Sequence, residues 1–313
     1  MFRIIYIGSD NFSANVLTEL AGFGGCAIAA VATYPDMPHG RGHKLIPTPV
    51  KIAAQNLGID VIEIADVADT ETHKKLAGFD VPVALIVSFK LVPPEFIKIF
   101  PKGIINLHPS LLPDLRGAAP VQWAIMHGYS RSGMTAFIID RETDTGNMLM
   151  QRSFDIGENE TTDDIYDKIV HPGAELLFKS ADSYLSGGIE PGIQVGLIQH
   201  KAPRIKRKHC LIRWEWSALK IHNRIRALTP NPGASAAFAG KNVKILSSLC
   251  VDNYTGKEPG SIIESDGDKI LVATGDGVVA ILEIQPEGKP VLKAEQFAAG
   301  YFKKAEKFEG VHE

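Results

Sequence analysis

Short, near-continuous apolar runs alternate with helical stretches through the first half of the chain, and this alternation narrows the possible folds most. The runs at residues 4–7, 28–31, 83–87 and 104–107 are rich in Ile and Val and lack the polar alternation of a strand with one wet face. Strands of that kind are buried on both faces. Helix candidates lie between them: residues 13–20 open with Ser13 as a capping serine, and residues 49–57 follow Thr48, which is suited to cap them. Strand–helix–strand repetition implies an α/β fold with a doubly wound, mostly parallel sheet. Such sheets hold their site beyond the carboxyl ends of the strands, beside the switch point in strand order. Residues 105–117 sit where one such strand would end.

A helix-like segment at 161–185, stopped by Gly187-Gly188, closes a first domain set at 1–188. Residues 189–203 carry Pro191, Gly192, Gly196 and Pro203 and read as a linker. At 204–313 the pattern changes. A helical stretch at 217–228 precedes short alternating runs at 241–246, 260–263, 269–273 and 278–283, with turn signals such as Asp266-Gly267 and Asp276-Gly277 between them. That succession predicts a C-terminal β-barrel of the oligonucleotide-binding type.

A length of 313 residues suits two domains, and 45% apolar with 22% charged residues suffices for a core without disulfides or metal. Cys26, Cys210 and Cys250 are odd in number, far apart and outside any zinc-type spacing, as expected of inert thiols in a reducing compartment. The amino terminus runs straight into a strand pattern without a signal-peptide layout, and no apolar run approaches the ~20 residues of a membrane span. A soluble cytoplasmic protein with no membrane partner is expected, acting as a monomer. The net charge of -3 leaves any polyanion to be held by local basic patches. Gly8-Ser9-Asp10-Asn11-Phe12 stands where a nicotinamide dehydrogenase would carry G-x-G-x-x-G, which argues against that class.

Chemistry concentrates in Asn106-Leu107-His108-Pro109-Ser110-Leu111-Leu112-Pro113-Asp114-Leu115-Arg116-Gly117. A strand projects Asn106 and His108 to the same side. Pro109 and Pro113 stiffen the exit loop, and Gly117 permits close approach of backbone to a ligand. The polar turn Asp140-Arg141-Glu142-Thr143-Asp144-Thr145-Gly146 follows between two strand-like runs. Held together, Asn, His and Asp would suit acyl transfer to an amine. An amide N–H and an imidazolium would stabilise an oxyanion, while a carboxylate orients the ring and takes part in proton removal. Taken alone, Asn-x-His at a strand end is more often structural, because His and Asn commonly satisfy backbone groups. Ser110 lacks the G-x-S-x-G setting of a hydrolase nucleophile and reads as a loop serine. His39 and His43, four apart, lie among Gly40 and Gly42 in a loop that disfavours metal binding.

The run from Asn106 to Pro113 followed by Arg116-Gly117, together with Asp144-Thr145-Gly146, resembles the signature of the folate-dependent formyltransferases. Tyr34-Pro35-Asp36-Met37-Pro38-His39-Gly40-Arg41-Gly42-His43-Lys44, Gly117-Ala118-Ala119-Pro120-Val121-Gln122 and Ile225-Arg226-Ala227-Leu228-Thr229-Pro230 extend the likeness along nearly the whole chain to the branch that acts on initiator methionyl-tRNA. The resemblance implies that Asn106, His108 and Asp144 form the catalytic trio, with 10-formyltetrahydrofolate as co-substrate and no metal. It implies folate contacts from Ser88, Phe89, Lys90 and Leu91 and from Ser110, Leu111, Leu112 and Pro113. It also implies contact of Arg41 and Lys44 with an acceptor stem. Lys90 departs from the family's usual glycine, Pro93 from an aliphatic residue and Asp114 from a basic one.

Lys201, Arg204, Lys206, Arg207, Lys208, Arg213, Lys220, Arg224 and Arg226 face one acid, Glu215, across the linker and the start of the second domain. A charge run is commonly a solvated face; here it is read as a phosphate-binding stripe, with Lys206, Arg207 and Lys208 at its centre. Trp214 and Trp216 are candidates for base stacking or, more simply, for packing the barrel. Two other readings remain: formyl transfer to an amino-sugar nucleotide, which shares the trio, and a catalytically silent RNA- or folate-binding module.

Overall fold

The computed structural model describes residues 1–39, 44–251, 256–302 and 306–310. The chain forms two compact units, and neither is one stretch of sequence. The first comprises Met1–Gly117, Ser132–Phe154 and Tyr166–Lys201; the second comprises Ala118–Arg131, Asp155–Ile165 and Ala202–Glu313.

The first unit begins with β1 (Phe2–Gly8), α1 (Asn11–Ala21) and β2 (Cys26–Thr33), followed by a ribbon of β3 (Met37–His39) and β4 (Lys44–Ile46). Next come α2 (Pro49–Asn56), β5 (Val61–Glu63), α3 (Thr70–Ala77), β6 (Val83–Val87), α4 (Pro94–Ile97) and β7 (Ile104–His108). The chain visits the second unit with α5 (Pro120–Met126), then supplies β8 (Arg131–Ile138), β9 (Met148–Asp155) and the long α6 (Thr162–Leu185). Sheet order is β5-β2-β1-β6-β7-β8-β9. The five strands from β5 to β7 are parallel, and β8 runs antiparallel to β7. The chain moves outward from β1 to β2 and β5, then returns to the other side of β1 for β6 and β7. That reversal is the switch point expected of a doubly wound sheet.

The predicted strands appear because each is apolar on both faces. Ile5, Ile7, Ala30, Ala32, Ala84 and Ile86 are buried against Leu76, Phe96 and Phe100 from the helical layer. One cap differs from expectation. Asp10, not Ser13, caps α1 by accepting from Ser13 N at 2.9 Å. Ser13 lies inside the first turn, buried, where its carbonyl accepts from Tyr6 Oη at 2.7 Å. An aspartate outcompetes a serine three residues on because it reaches the free N–H groups of the first turn. Thr48 caps α2 as predicted, accepting from Lys51 N at 3.1 Å.

The second unit adds α7 (Arg207–Cys210), α8 (Ala218–Leu228), β10 (Ala234–Phe238), β11 (Lys241–Val251), β12 (Ile262–Asp266) and β13 (Lys269–Ala273). It ends with β14 (Val278–Pro286), β15 (Leu292–Lys293), α9 (Ala294–Tyr301) and β16 (Phe308–Glu309). The sheet is antiparallel in the order β12-β13-β14-β11-β10-β16. Phe308 N donates to Gly260 O at 2.8 Å and Ile262 N to Glu306 O at 3.1 Å, which curls the sheet back toward its starting edge. Trp214, Phe238, Phe297 and Phe308 fill its interior, so Trp214 packs and does not stack on a base. Among the described residues no helix is long and apolar enough to cross a membrane.

Burial of His222 in α8 is expected to make this unit sensitive to acid. It is 3% exposed, with Nε2 facing Glu158 O at 3.1 Å and Nδ1 facing Ser248 Oγ at 3.0 Å. The neutral ring with its proton on Nε2 satisfies both partners. Burial pushes its pKa below the ordinary histidine range; the Glu158 carbonyl opposes that shift and the nearby Arg226 cation adds to it. Below about pH 6.5 the unfolded chain binds a proton that the folded chain refuses, so stability falls as pH drops through that value. Denaturant unfolding between pH 8 and pH 5 should show this slope, and His222→Gln should flatten it. An unchanged slope in the variant would assign the acid sensitivity to another group.

Candidate active site

The register of β7 sets the site. Asn106 pairs with Ile86 of β6 and Phe137 of β8, and His108 pairs with Thr135. Two apart on a strand, their side chains project from one face, at the carboxyl end of the sheet. Asn106 is half-buried and His108 is buried. Nε2 of His108 donates to Leu115 O at 3.0 Å; a carbonyl only accepts, so this nitrogen carries a proton. Nδ1 lies 3.8 Å from Asp144 Oδ2, beyond hydrogen-bond distance. Nε2 therefore anchors the ring, and Nδ1 is the nitrogen turned toward Asp144.

Asp144 sits in the turn between β8 and β9 with φ +55°, a left-handed conformation that aspartate tolerates better than most residues. Its Oδ2 accepts from Gly117 N at 2.8 Å. Gly117, at φ +133°, thus brings its backbone close to a carboxylate of the chain itself. At Gly146 a Cβ would lie 1.8 Å from Ile138 O, so only glycine lets the turn lie flat on β8. His108 and Asp144 are face to face, and Asn106 shares the strand face of His108.

Segment 110–113 is mostly internal. Ser110 Oγ donates to Asp114 O at 2.7 Å, and Ser110 is fully buried. Thr135 Oγ1 donates to Ser110 O at 2.7 Å and accepts from Leu112 N at 3.1 Å, while Gln151 Nε2 donates to Leu112 O at 3.0 Å. Leu112 and Pro113 are buried, and Leu111 is half-buried. These bonds fix the loop that leaves β7. The Asp114 carboxylate pins a neighbouring stretch of backbone, with Oδ1 accepting from the N–H groups of Gln199 and His200, both at 2.8 Å.

Residues 88–91 follow β6, the neighbour of β7. Ser88 has φ +51°, and its carbonyl accepts from Ser9 Oγ at 2.8 Å. The rings of Phe89 and Tyr34 stack at 4.4 Å and 13°. Lys90 N donates to Tyr34 Oη at 3.1 Å, and the Lys90 ammonium lies 5.3 Å from the Tyr34 ring centroid. The Lys90 side chain thus makes a cation–π contact with Tyr34, the residue that follows β2. Ser88, Lys90 and Leu91 are exposed and Phe89 is half-buried. The loop edge thus carries a stacked aromatic pair and an exposed leucine beside β7.

Of the basic residues, Arg41 lies outside the described residues, as do Gly40, Gly42 and His43. Lys206, Arg207 and Lys208 are exposed at the start of α7. Two members of the stripe face inward instead. Arg226 is 6% exposed, donating to Asn223 Oδ1 at 2.9 Å, Gly157 O at 3.0 Å and Glu160 O at 2.7 Å. Arg224 is half-buried over the Trp216 ring and donates to His209 O. Sequence reading also passed over Gln194. Its side chain joins the Arg116 loop to the Asp144 turn from within a stretch whose Pro and Gly content signals only a linker.

A model of the formyl transferase family matches residues 2–180, and one of the formyl transferase C-terminal domain matches residues 204–301. The methionyl-tRNA formyltransferase of Citrifermentans bemidjiense is 37% identical over 301 residues, which is 96% of this chain and 93% of that one. The methionyl-tRNA formyltransferase of Solibacter usitatus is 37% identical over 299 residues, 95% of each chain. Among solved structures, an N-formyltransferase from Helicobacter canadensis in complex with folinic acid and dTDP-3-aminofucose aligns with a TM-score of 0.65. It is 22% identical, covers 91% of this chain and 100% of that one, and shares the fold.

Proposed function

This chain belongs to the formyl transferase family, and from that membership we infer that it formylates the free amine of initiator methionyl-tRNA, using 10-formyltetrahydrofolate. The observation that carries the reading is His108, anchored at Nε2 and turned toward Asp144 at Nδ1, on one strand face with Asn106. Near-full-length likeness at 37% identity favours tRNA over an amino-sugar nucleotide as acceptor, since the likeness to the sugar enzyme is one of fold.

The co-substrate supplies the formyl carbon and the nitrogen that departs. Asn106 and His108 offer N–H donors to the negative charge that develops on the formyl oxygen during direct attack by the amine. Asp144, its Oδ2 3.8 Å from Nδ1, faces the protonated ring without bonding it, which leaves the Nδ1–H for the oxyanion, and takes up the amine proton for return to the departing nitrogen. The exposed edge 88–91 receives the folate ring, with Phe89 and Leu91 as its apolar contact and Ser88 and Lys90 as its polar rim. Segment 110–113 contributes Leu111 and, through its internal bonds, the position of His108. Catalysis belongs to residues 1–188 and tRNA contact to 204–313, joined by 189–203, in a protein acting as a cytoplasmic monomer.

Arg41 and Lys44 contact the acceptor stem, and Lys206, Arg207 and Lys208 bind phosphate. Replacing Lys206, Arg207 and Lys208 by glutamine should weaken tRNA binding and lower its log–log salt slope by about one per charge removed. Arg41→Ala should impair tRNA use while a small-amine surrogate reacts as before. Filter binding across a salt series, with a surrogate assay beside it, reads both effects. An unchanged slope removes the phosphate role, and equal losses on tRNA and surrogate remove the role of Arg41.

A further inference from the structure

We propose that Gln194 is a positioning residue for formyl transfer: its amide ties the Asp144 turn to the Arg116 loop and so keeps the Asp144 carboxylate opposite Nδ1 of His108. The inference rests on the reading above, in which Asp144 serves the reaction.

A primary amide has two N–H donors and an oxygen with two lone pairs, and Gln194 uses all four. Nε2 donates to Asp144 O at 2.9 Å and Gly146 O at 2.8 Å. Oε1 accepts from Arg116 Nε at 3.1 Å and Arg116 Nη2 at 2.6 Å. Asp144 is therefore held at both ends, its carbonyl by Gln194 and its carboxylate by Gly117 N at 2.8 Å. Its left-handed backbone is uphill for a residue with a Cβ and persists only where the surroundings hold it.

The segment that carries Gln194 is attached by polar bonds. Gly192 and Met148 exchange N–H···O bonds of 2.7 and 2.9 Å, and His200 O accepts from Leu115 N at 3.0 Å. Leu115 in turn supplies the carbonyl that anchors Nε2 of His108. Both groups that flank the imidazole thus connect to residues 192–200. Apolar burial does not hold this stretch, because Ile193, Val195 and Leu197 are 73%, 75% and 83% exposed. Gln194 points inward between them.

The test uses the full chain, 10-formyltetrahydrofolate and initiator methionyl-tRNA. Gln194→Met keeps the length of the side chain and removes all four bonds. Gln194→Glu keeps an acceptor for Arg116 but sets a carboxylate against two carbonyl oxygens. Both should lower kcat by about ten- to a hundredfold, as expected when a catalytic group moves by roughly 1 Å. KM for either substrate should change by no more than about twofold, the pattern of an interaction felt in the transition state. In an Asp144→Asn background either substitution should add less than about a twofold loss, because residues that act as a unit are not additive. Wild-type kcat in Gln194→Met overturns the proposal. So does wild-type kcat in Gln194→Glu, which would confine the role to Arg116, and so do losses that multiply with Asp144→Asn. Full activity of Asp144→Asn alone would instead overturn the role of Asp144 in the reaction, and this inference with it.

Discussion

Replacing Asn106, His108 or Asp144 is expected to cut the rate of formyl transfer by about a hundredfold or more in each case, the usual loss when a preorganised oxyanion or proton-transfer group is removed. The fold should survive all three. Asn106 is held in β7 by backbone pairing to strands on both sides, so Asn106→Ala leaves the ladder intact. His108→Ala strands Leu115 O without its donor, at about 1–3 kcal/mol for a buried acceptor. Asp144→Asn is the cleaner change at the third position. Asparagine accepts the left-handed backbone and keeps an oxygen for Gly117 N, whereas alanine does neither. Single-turnover transfer from 10-formyltetrahydrofolate to initiator methionyl-tRNA, with circular dichroism as the control for folding, checks all three. Full activity in Asp144→Asn would discard the proton-relay role, and full activity in His108→Ala would discard the site.

The legible part of this site is the part encoded locally. Asn106 and His108 share a face because a strand alternates, and the apolar run at 104–107 identifies the strand. Nothing local announces the 3.8 Å approach of Asp144, which depends on β8 lying beside β7 and β9 beside β8; the resemblance to a family supplied that residue. Ser110, Leu112 and Pro113 show a different limit. A loop signature gives the residues of a segment but not the side each one faces; here all three are buried, with the Ser110 and Leu112 carbonyls held by Thr135 and Gln151. β10 went unread because Ala-Ser-Ala-Ala-Phe lacks the β-branched residues that mark a strand; it forms by pairing with β11 and β16. Gln194 was concealed by inversion. Its segment exposes apolar residues and turns the half-buried amide inward, the opposite of what hydrophobicity predicts.

Arg226 is where burial changes an expected outcome from affinity to stability. Counted among the basic residues of a stripe, its loss would weaken tRNA binding and reduce the salt slope by about one. Its place in the fold argues otherwise. The guanidinium is 6% exposed and donates to Asn223 Oδ1, Gly157 O and Glu160 O, so α8 and residues 157–160 share one cation. Burial pulls its pKa down, with Glu160 and Glu158 opposing that shift. Arg226→Met fills most of the volume but leaves three acceptors without a donor. With about 1–3 kcal/mol for each buried group left unsatisfied, and some relaxation, a loss of about 3 kcal/mol is expected. Arg226→Lys should recover only part of it, since an ammonium does not reproduce the fork of the guanidinium. Urea unfolding should show the midpoint falling in Arg226→Met, with tRNA binding by the folded fraction, and its salt slope, unchanged. In Lys206→Gln the two results should trade places. Wild-type stability in Arg226→Met with a weakened, flatter salt dependence would return this arginine to the phosphate-binding surface.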